Sequence, residues 1–206
     1  MKNIKTSWLS REALWLGVYT LGTFLVALLY FFEFSQILKF LLEIATLAAG
    51  IYGIYAQSMI YRIKARPSWN KQETTNIFFN VGYIGVLLVG AILVANKDYQ
   101  SAFIVVPFGA FIGFLQYTIF KNEVEFYTNL EESEKNFYQL NKTKKLYENN
   151  FIKLRDYRRK TLVLGAFVLP IFSMLLLASQ SFTLSLTALI IAVIVSFSSE
   201  IISRLL

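Results

Sequence analysis

Residues 161–178 read TLVLGAFVLPIFSMLLLA, and residues 182–199 read FTLSLTALIIAVIVSFSS. Neither stretch contains a charged residue, and only Ser179-Gln180-Ser181 lies between them. A helix that crosses a hydrocarbon core about 30 Å thick needs roughly 20 apolar residues. Because so short a link can only join antiparallel neighbours, this part of the chain predicts a hairpin of two membrane-spanning helices.

Similar apolar segments recur along the 206 residues. We predict six spans, at about 13–32, 37–60, 75–96, 100–120, 161–178 and 182–203. Short links also join the first span to the second and the third to the fourth, so these pairs predict hairpins as well. The sequence therefore predicts an all-α, polytopic membrane helix bundle. It forms a single membrane domain over residues 1–206, with a charged helical hairpin extension at 121–160.

The composition supports a membrane protein and excludes several other classes. Hydrophobic residues make up 56% of the chain, charged residues only 16%, and the formal net charge is +7. This balance excludes a soluble enzyme, a disordered tail and a nucleic-acid-binding domain. Because the chain contains no Cys and no His, it cannot ligate an iron–sulfur cluster, hold a haem between paired His ligands or form a His-based metal site.

Basic residues are concentrated on one predicted side of the membrane. Six spans place the N terminus, residues 61–74, residues 121–160 and the C terminus together, and these segments contain eighteen of the twenty Lys and Arg residues. The opposite side has only Lys39 and Lys97. Because cytoplasmic loops are enriched in Lys and Arg, we expect the termini and the basic loops to face the cytoplasm from the inner (cytoplasmic) membrane.

Residues 121–160 contain ten basic and seven acidic residues, and their apolar residues recur at roughly helical spacing. We predict two helical extensions of the flanking spans, with a break near Asn141-Lys142-Thr143. The segment is either a solvated charged hairpin or a docking surface for a partner subunit or anionic lipid.

A carboxylate lies close to the start of the first span. Ser10 is a candidate cap for this helix, and Glu12 would then lie in the first turn, where the helix dipole favours a negative charge. Alternatively, Glu12 accepts a proton from a ligand bound at the membrane interface. Arg11 is then either its ion-pair partner or an interfacial anchor.

Two pairs of opposite charges are four residues apart on predicted spans. Glu200 and Arg204 can meet on one face of the last helix, and so can Lys39 and Glu43 near the opposite side of the membrane. Each pair either fixes helix packing or, as charges near hydrocarbon often do, faces a cavity with a function. For Lys39 and Glu43 we favour the packing role.

Several short blocks resemble a known family of membrane subunits. Ser7-Trp8-Leu9-Ser10-Arg11-Glu12 lies beside the first span, Ala65-Arg66-Pro67-Ser68-Trp69-Asn70 follows Tyr61 after the second, and Glu200 and Arg204 lie near the end. In this order, and over nearly the whole chain, the blocks resemble the DmsC family. Its members are the membrane anchor subunits of dimethyl sulfoxide reductases and related molybdenum enzymes.

The resemblance implies a non-catalytic anchor subunit in anaerobic respiration. Such a subunit binds and oxidises menaquinol, and it carries no haem or cluster of its own. Electrons pass to an iron–sulfur electron-transfer subunit and then to a molybdopterin catalytic subunit. Glu12 matches an acidic family position implicated in quinol binding. The quinol-binding positions that the resemblance implies are Trp8, Arg11, Glu12, Arg66, Trp69, Glu200 and Arg204.

The sequence also departs from the family pattern. In the family the block at Ser7–Glu12 opens the third span, so we expect that this chain lacks the first two spans and a histidine-bearing part of the quinol site. Well-known relatives place their soluble subunits outside the cytoplasm, whereas the charges here predict a cytoplasm-facing partner. Two alternatives stay open. One is a structural anchor without a working quinol site, and the other is a small transporter in which Pro107 and Pro170 kink two spans.

Overall fold

The computed structural model describes residues 7–32, 34–62, 72–131, 138, 140–142, 144–145 and 152–205. These residues form helices and short links without any strand, which confirms the predicted all-α fold. We label the helices α1 (Trp8–Phe31), α2 (Gln36–Tyr61), α3 (Gln72–Asn80), α4 (Gly82–Ala95), α5 (Tyr99–Thr128), α6 (Ile152–Val163), α7 (Leu169–Ala178) and α8 (Phe182–Leu205). A π-helical segment, Leu164–Val168, joins α6 to α7.

Six helical stretches are long and apolar enough to cross a membrane, as the sequence predicts. They are Trp8–Phe31, Gln36–Tyr61, Thr74–Ala95, Tyr99–Thr128, Ile152–Ala178 and Phe182–Ile202. Large apolar side chains such as Phe24, Ile104 and Ile194 are more than half exposed on these helices. Apolar surface on this scale is rare in soluble monomers, so these side chains are suited to face lipid. The chain is therefore a multi-pass membrane protein.

The described residues of the charged segment are helical except for residues 129–131, so a break lies earlier than the one predicted near Asn141-Lys142-Thr143, of which Thr143 lies outside the described residues. The α5 helix ends at Thr128, and both Asn141 and Lys142 are helical. The ammonium group of Lys144 donates a hydrogen bond to the Thr128 carbonyl at 3.1 Å. A cation that satisfies a terminal carbonyl stabilises a helix end at that position, which gives a physical reason for the earlier break.

The chain divides into two compact units, Met1–Phe79 and Asn80–Leu206. In the first unit α1 and α2 pack as the predicted antiparallel hairpin. The Tyr30 hydroxyl donates to Oε1 of Glu43 at 2.8 Å, and the Lys39 ammonium lies 4.5 Å from the centroid of the Tyr30 ring. The two charges of α2 that we expected to pair therefore meet at an aromatic side chain of α1, which fixes the packing of the hairpin.

In the second unit α4 packs against α5 and α8, and α7 packs against α8. These contacts confirm the hairpins predicted for the third and fourth spans and for the fifth and sixth. Fully buried residues at the centre include Tyr83, Leu87, Leu162 and Leu189. The π-helical segment precedes Pro170, which has no N–H to donate to the preceding turn, and such a residue is a common cause of local helix rearrangement.

Candidate functional site

One candidate region is a face of α1 close to its first residue, which we call the α1 aromatic face. Trp8, Arg11, Glu12 and Trp15 recur at intervals of three and four residues, so their side chains leave the helix on one side. The guanidinium carbon of Arg11 lies 4.3 Å from the centroid of the Trp8 ring. Arg11 therefore makes a cation–π contact with Trp8.

Two tyrosines of α2 complete this face. The Trp8 ring meets Tyr55 edge-on with centroids 5.8 Å apart, and Trp15 meets Tyr52 at 5.1 Å. The rings of Tyr52 and Tyr55 are themselves 6.0 Å apart. By its helical position, Glu12 lies between the two tryptophans and is partly exposed. The face thus offers aromatic edges for a flat ring and a carboxylate that can accept a proton.

The expectation that Ser10 caps α1 is wrong. The cap is Ser7, whose hydroxyl accepts a hydrogen bond from the N–H of Ser10 at 3.4 Å, and the helix begins at Trp8. Glu12 consequently lies beyond the first turn, which contains no acidic residue. Because the helix-dipole effect falls off within the first turn, it gives little reason for a carboxylate at residue 12. The proton-accepting interpretation of Glu12 stays a prediction.

A second candidate region lies inside the second unit. Polar side chains from four helices are buried there, and we call them the buried polar cluster: Tyr83 of α4, Gln116 of α5, Arg158 of α6, and Ser196, Ser199 and Glu200 of α8. None of them is more than 6% exposed. Polar groups buried in a membrane bundle normally bind one another, because lipid offers no alternative partner.

Hydrogen bonds and a ring contact connect the cluster across helices. Gln116 donates from Nε2 to Oε1 of Glu200 at 3.2 Å, and the Ser199 hydroxyl donates to the Arg158 carbonyl at 3.3 Å. The Arg158 guanidinium carbon lies 4.7 Å from the centroid of the Phe120 ring. These contacts join α5 to α8 and α6 to both α5 and α8.

Several atoms of the cluster have no hydrogen-bond partner among the residues that the structure describes. They are the Tyr83 hydroxyl, the Gln116 Oε1, the Arg158 Nε, the Ser196 hydroxyl and the Glu200 Oε2. The cluster therefore contains donors and acceptors whose missing hydrogen bonds could be formed after small side-chain rearrangements or with a bound small polar molecule.

The structure unites only part of the predicted quinol-binding set. Trp8, Arg11 and Glu12 share the α1 aromatic face, while Glu200 belongs to the buried polar cluster of the second unit. Arg66 and Trp69 lie outside the described residues, and so does the side chain of Arg204. The expected ion pair of Glu200 with Arg204 thus stays a prediction, and the described partner of Glu200 is Gln116.

Sequence reasoning did not single out Tyr83, Gln116 or Arg158. Gln116 offered a signal, because it is a polar residue within an apolar span between Asp98 and Lys121 and such residues usually face the bundle interior. Arg158 offered none, because it is one of several basic residues near the same membrane boundary. Among the described residues, no group of three or more acidic side chains is placed to hold a metal ion.

Comparison with known proteins adds a family to this geometry. The family model described as "DMSO reductase anchor subunit (DmsC)" matches residues 1–206, the whole chain. No curated protein and no solved structure matches.

Proposed function

Because the chain belongs to the DMSO reductase anchor subunit (DmsC) family, it is a membrane anchor subunit, and we propose that it binds and oxidises menaquinol. In this proposal the chain passes the electrons to an iron–sulfur subunit, which supplies a molybdopterin catalytic subunit during anaerobic respiration. Family membership itself implies a complex with catalytic and electron-transfer subunits. The chain itself carries out no substrate reduction.

The observation that carries the proposal is the placement of Glu12 on the α1 aromatic face. Menaquinol has a flat fused ring with two hydroxyl groups and a long apolar tail. The edges of Trp8 and Tyr55 suit the ring, and the lipid-exposed apolar surface of α1 suits the tail. The Glu12 carboxylate, between Trp8 and Trp15, would then be near a hydroxyl group of the bound menaquinol ring.

Oxidation of menaquinol to menaquinone releases two electrons and two protons. We propose that the Glu12 carboxylate takes the first proton and that water at the membrane surface takes the second. Arg11 is the neighbour of Glu12 in the sequence, and its guanidinium is held over the Trp8 ring. Its positive charge favours the quinol anion that forms after the first proton leaves. Since the chain has no Cys and no His, we assign both electrons, which leave one at a time, to the iron–sulfur partner subunit.

The test is Glu12→Gln in the assembled complex. Quinol-dependent reduction should fall by about a hundredfold or more, because a general base contributes roughly 10²–10⁴-fold. Activity with an artificial dye, which bypasses the anchor, should stay normal. Glu43→Gln is a matched control, since Glu43 is the carboxylate of the same unit that binds Tyr30. Unchanged quinol turnover in Glu12→Gln would overturn the proton-accepting role of Glu12. Absence of quinol turnover in the unmutated complex would leave a purely structural anchor, and loss of dye activity would indicate failed assembly.

We further propose that the subunit resides in the inner membrane with its termini and basic loops in the cytoplasm. The support is the one-sided distribution of charge, with eighteen of twenty Lys and Arg residues in segments of one predicted side. In this arrangement the soluble partners bind on the cytoplasmic side.

A further inference from the structure

A groove of about 460 Å³ lies between α5 and α6, at the start of the charged segment. We call it the basic groove. From α5 it is lined by Tyr117, Phe120 and Lys121, and from α6 by Arg155, Asp156 and Arg159. The spacing of three and four residues on both helices means that two helix faces oppose each other across the groove.

The rim of the basic groove is positively charged. Lys121, Arg155 and Arg159 contribute three positive charges and Asp156 one negative charge. Asp156 already accepts from Arg159 and Lys160, each at 2.7 Å. Counted over these four lining side chains, the groove has two more positive than negative charges, which suits an anion.

The floor of the basic groove is apolar and firmly packed. Phe120 is buried and lies under the Arg158 guanidinium. Tyr117 meets the Phe167 ring edge-on with centroids 6.2 Å apart. A ligand in this groove would therefore place a charged group against the rim and apolar atoms against the floor.

The position of the basic groove along the chain identifies a membrane boundary. No charged residue occurs between Asp98 and Lys121 on the α5 side, and none occurs between Lys160, near the end of α6, and Glu200. Lys121 and Lys160 thus mark the level at which hydrocarbon gives way to lipid headgroups. An anion at this depth, next to an apolar surface, is most simply a lipid phosphate.

We propose that the basic groove binds an anionic phospholipid. The phosphate lies between Lys121, Arg155 and Arg159, and the first methylene groups of an acyl chain lie against Phe120 and Tyr117. An acidic protein segment would satisfy the rim but not the apolar floor, so we favour the lipid. This site is separate from the α1 aromatic face and does not depend on quinol binding.

The experiment uses the purified full chain in detergent and measures bound phosphatidylglycerol by native mass spectrometry. Lys121→Gln combined with Arg159→Gln should weaken phosphatidylglycerol binding by about tenfold or more, because each basic residue near the membrane surface contributes roughly fivefold to the affinity. Phosphatidylcholine should bind weakly to every variant. Both side chains are exposed, so folding should not suffer.

Two further variants make the result specific. Lys142→Gln combined with Lys153→Gln removes the same charge from exposed residues that do not line the groove, and it should bind the lipid normally. Lys121→Arg combined with Arg159→Lys retains the charge and should retain binding. An equal loss of lipid binding in the Lys142 and Lys153 variant would show that binding depends only on the net charge of the chain, and it would overturn the proposal.

Competition distinguishes the lipid from other anions. Glycerol phosphate should displace phosphatidylglycerol poorly, because it cannot use Phe120 and Tyr117. Displacement at equal concentration would show that the groove recognises phosphate alone. Stronger competition by an acidic peptide would assign the groove to a protein partner, and either result would refute the lipid site.

Discussion

Gln116 on α5 donates a hydrogen bond from its Nε2 to the Oε1 of Glu200 on α8, with a length of 3.2 Å. The exposed fractions of the two residues are 1% and 6%. In a bundle surrounded by lipid, two such groups gain little by separating, because neither would find another partner in hydrocarbon. The bond therefore specifies how α5 and α8 face each other, whereas their apolar neighbours are compatible with several rotations.

Breaking this bond from one side should be costly. Gln116→Leu leaves the buried Glu200 without its described donor, and we expect a loss of about 1–3 kcal/mol in the free energy of unfolding. Gln100→Leu, at an exposed position of the same helix, should change it by less than about 0.5 kcal/mol. The measurement is unfolding of the purified chain in detergent.

A double-mutant cycle tests whether the two side chains act as a pair. Gln116→Leu with Glu200→Leu should cost less than the sum of the single changes, because the double variant leaves neither group buried alone. Strictly additive costs would show that Gln116 and Glu200 stabilise the bundle through other contacts.

Gly165 in the π-helical segment allows α8 to approach closely. A Cβ at this position would meet the Ser196 hydroxyl, the Ser196 nitrogen at 2.9 Å and the Ala192 carbonyl oxygen at 3.1 Å. Because backbone atoms cannot move aside, Gly165→Ala should destabilise the chain by about 1–3 kcal/mol. Gly85→Ala is the control, since no atom lies within 4 Å of a Cβ there. The control should be neutral or stabilising because Ala favours helix, and equal effects in thermal unfolding would contradict the packing argument.

The sequence was sufficient to predict the spans and their pairing. Apolar length defines a membrane helix, and links as short as residues 179–181 leave only antiparallel neighbours. Both rules act locally or through the membrane, so no knowledge of packing is needed. The six spans and three hairpins are confirmed for this reason.

The sequence was insufficient for features that depend on competition or on helix rotation. Ser7 and Ser10 are both able to cap a helix, and only the backbone reveals that Ser7 does so. Gln116, Arg158 and Glu200 are far apart in sequence, and their encounter depends on how three helices rotate about their axes. Hydropathy carries no information about that rotation, so the buried polar cluster was not predicted.

Topology reporters test the predicted orientation in the membrane. Alkaline phosphatase is active only outside the cytoplasm, so a fusion after Asn70 should be inactive and a fusion after Lys97 should be active. The expected contrast follows from the one-sided distribution of Lys and Arg. Equal expression of the two fusions must be checked by immunoblot. Activity of the Asn70 fusion with an inactive Lys97 fusion would invert the topology and place the soluble partners on the outer side.

Asp98 should make the hairpin of α4 and α5 sensitive to acid. Its carboxylate caps α5 by accepting from the Ser101 N–H at 3.2 Å, and hydrogen bonds from Ser101 lower the pKa of Asp98. Because the pKa is lower in the folded state, the cap stabilises the fold fully at pH values above the ordinary Asp pKa of about 3.9. This stabilisation is lost as the pH falls through the lower, folded-state pKa. Asp98→Asn keeps a capping oxygen but does not titrate, so the difference in Tm between the two proteins should vary with pH only in that acidic range. A difference in Tm that does not change with pH would show that the Asp98 cap is not the source of the acid sensitivity.

Two turns contain a side chain where glycine would be preferred. Lys97 and Gln180 have φ angles of 63° and 61°, and each directly follows the C-cap residue of a helix, Asn96 or Ser179. The hydrogen bonds from Asp98 to Leu93 and from Ser181 to Leu176 close both turns in the Schellman pattern.

Replacing either residue by glycine should stabilise its hairpin. Left-handed backbone costs an ordinary residue about 1 kcal/mol, and part of that gain is offset by the greater freedom of glycine in the unfolded chain. We therefore expect Lys97→Gly and Gln180→Gly each to raise the free energy of unfolding by about 0.5–1 kcal/mol. Asn96→Gly is the control, because Asn96 has a φ of −82° and glycine brings no relief there. Thermal unfolding in detergent should rank Lys97→Gly above the parent chain and Asn96→Gly below it, and the opposite ranking would contradict the strain assigned to the turn.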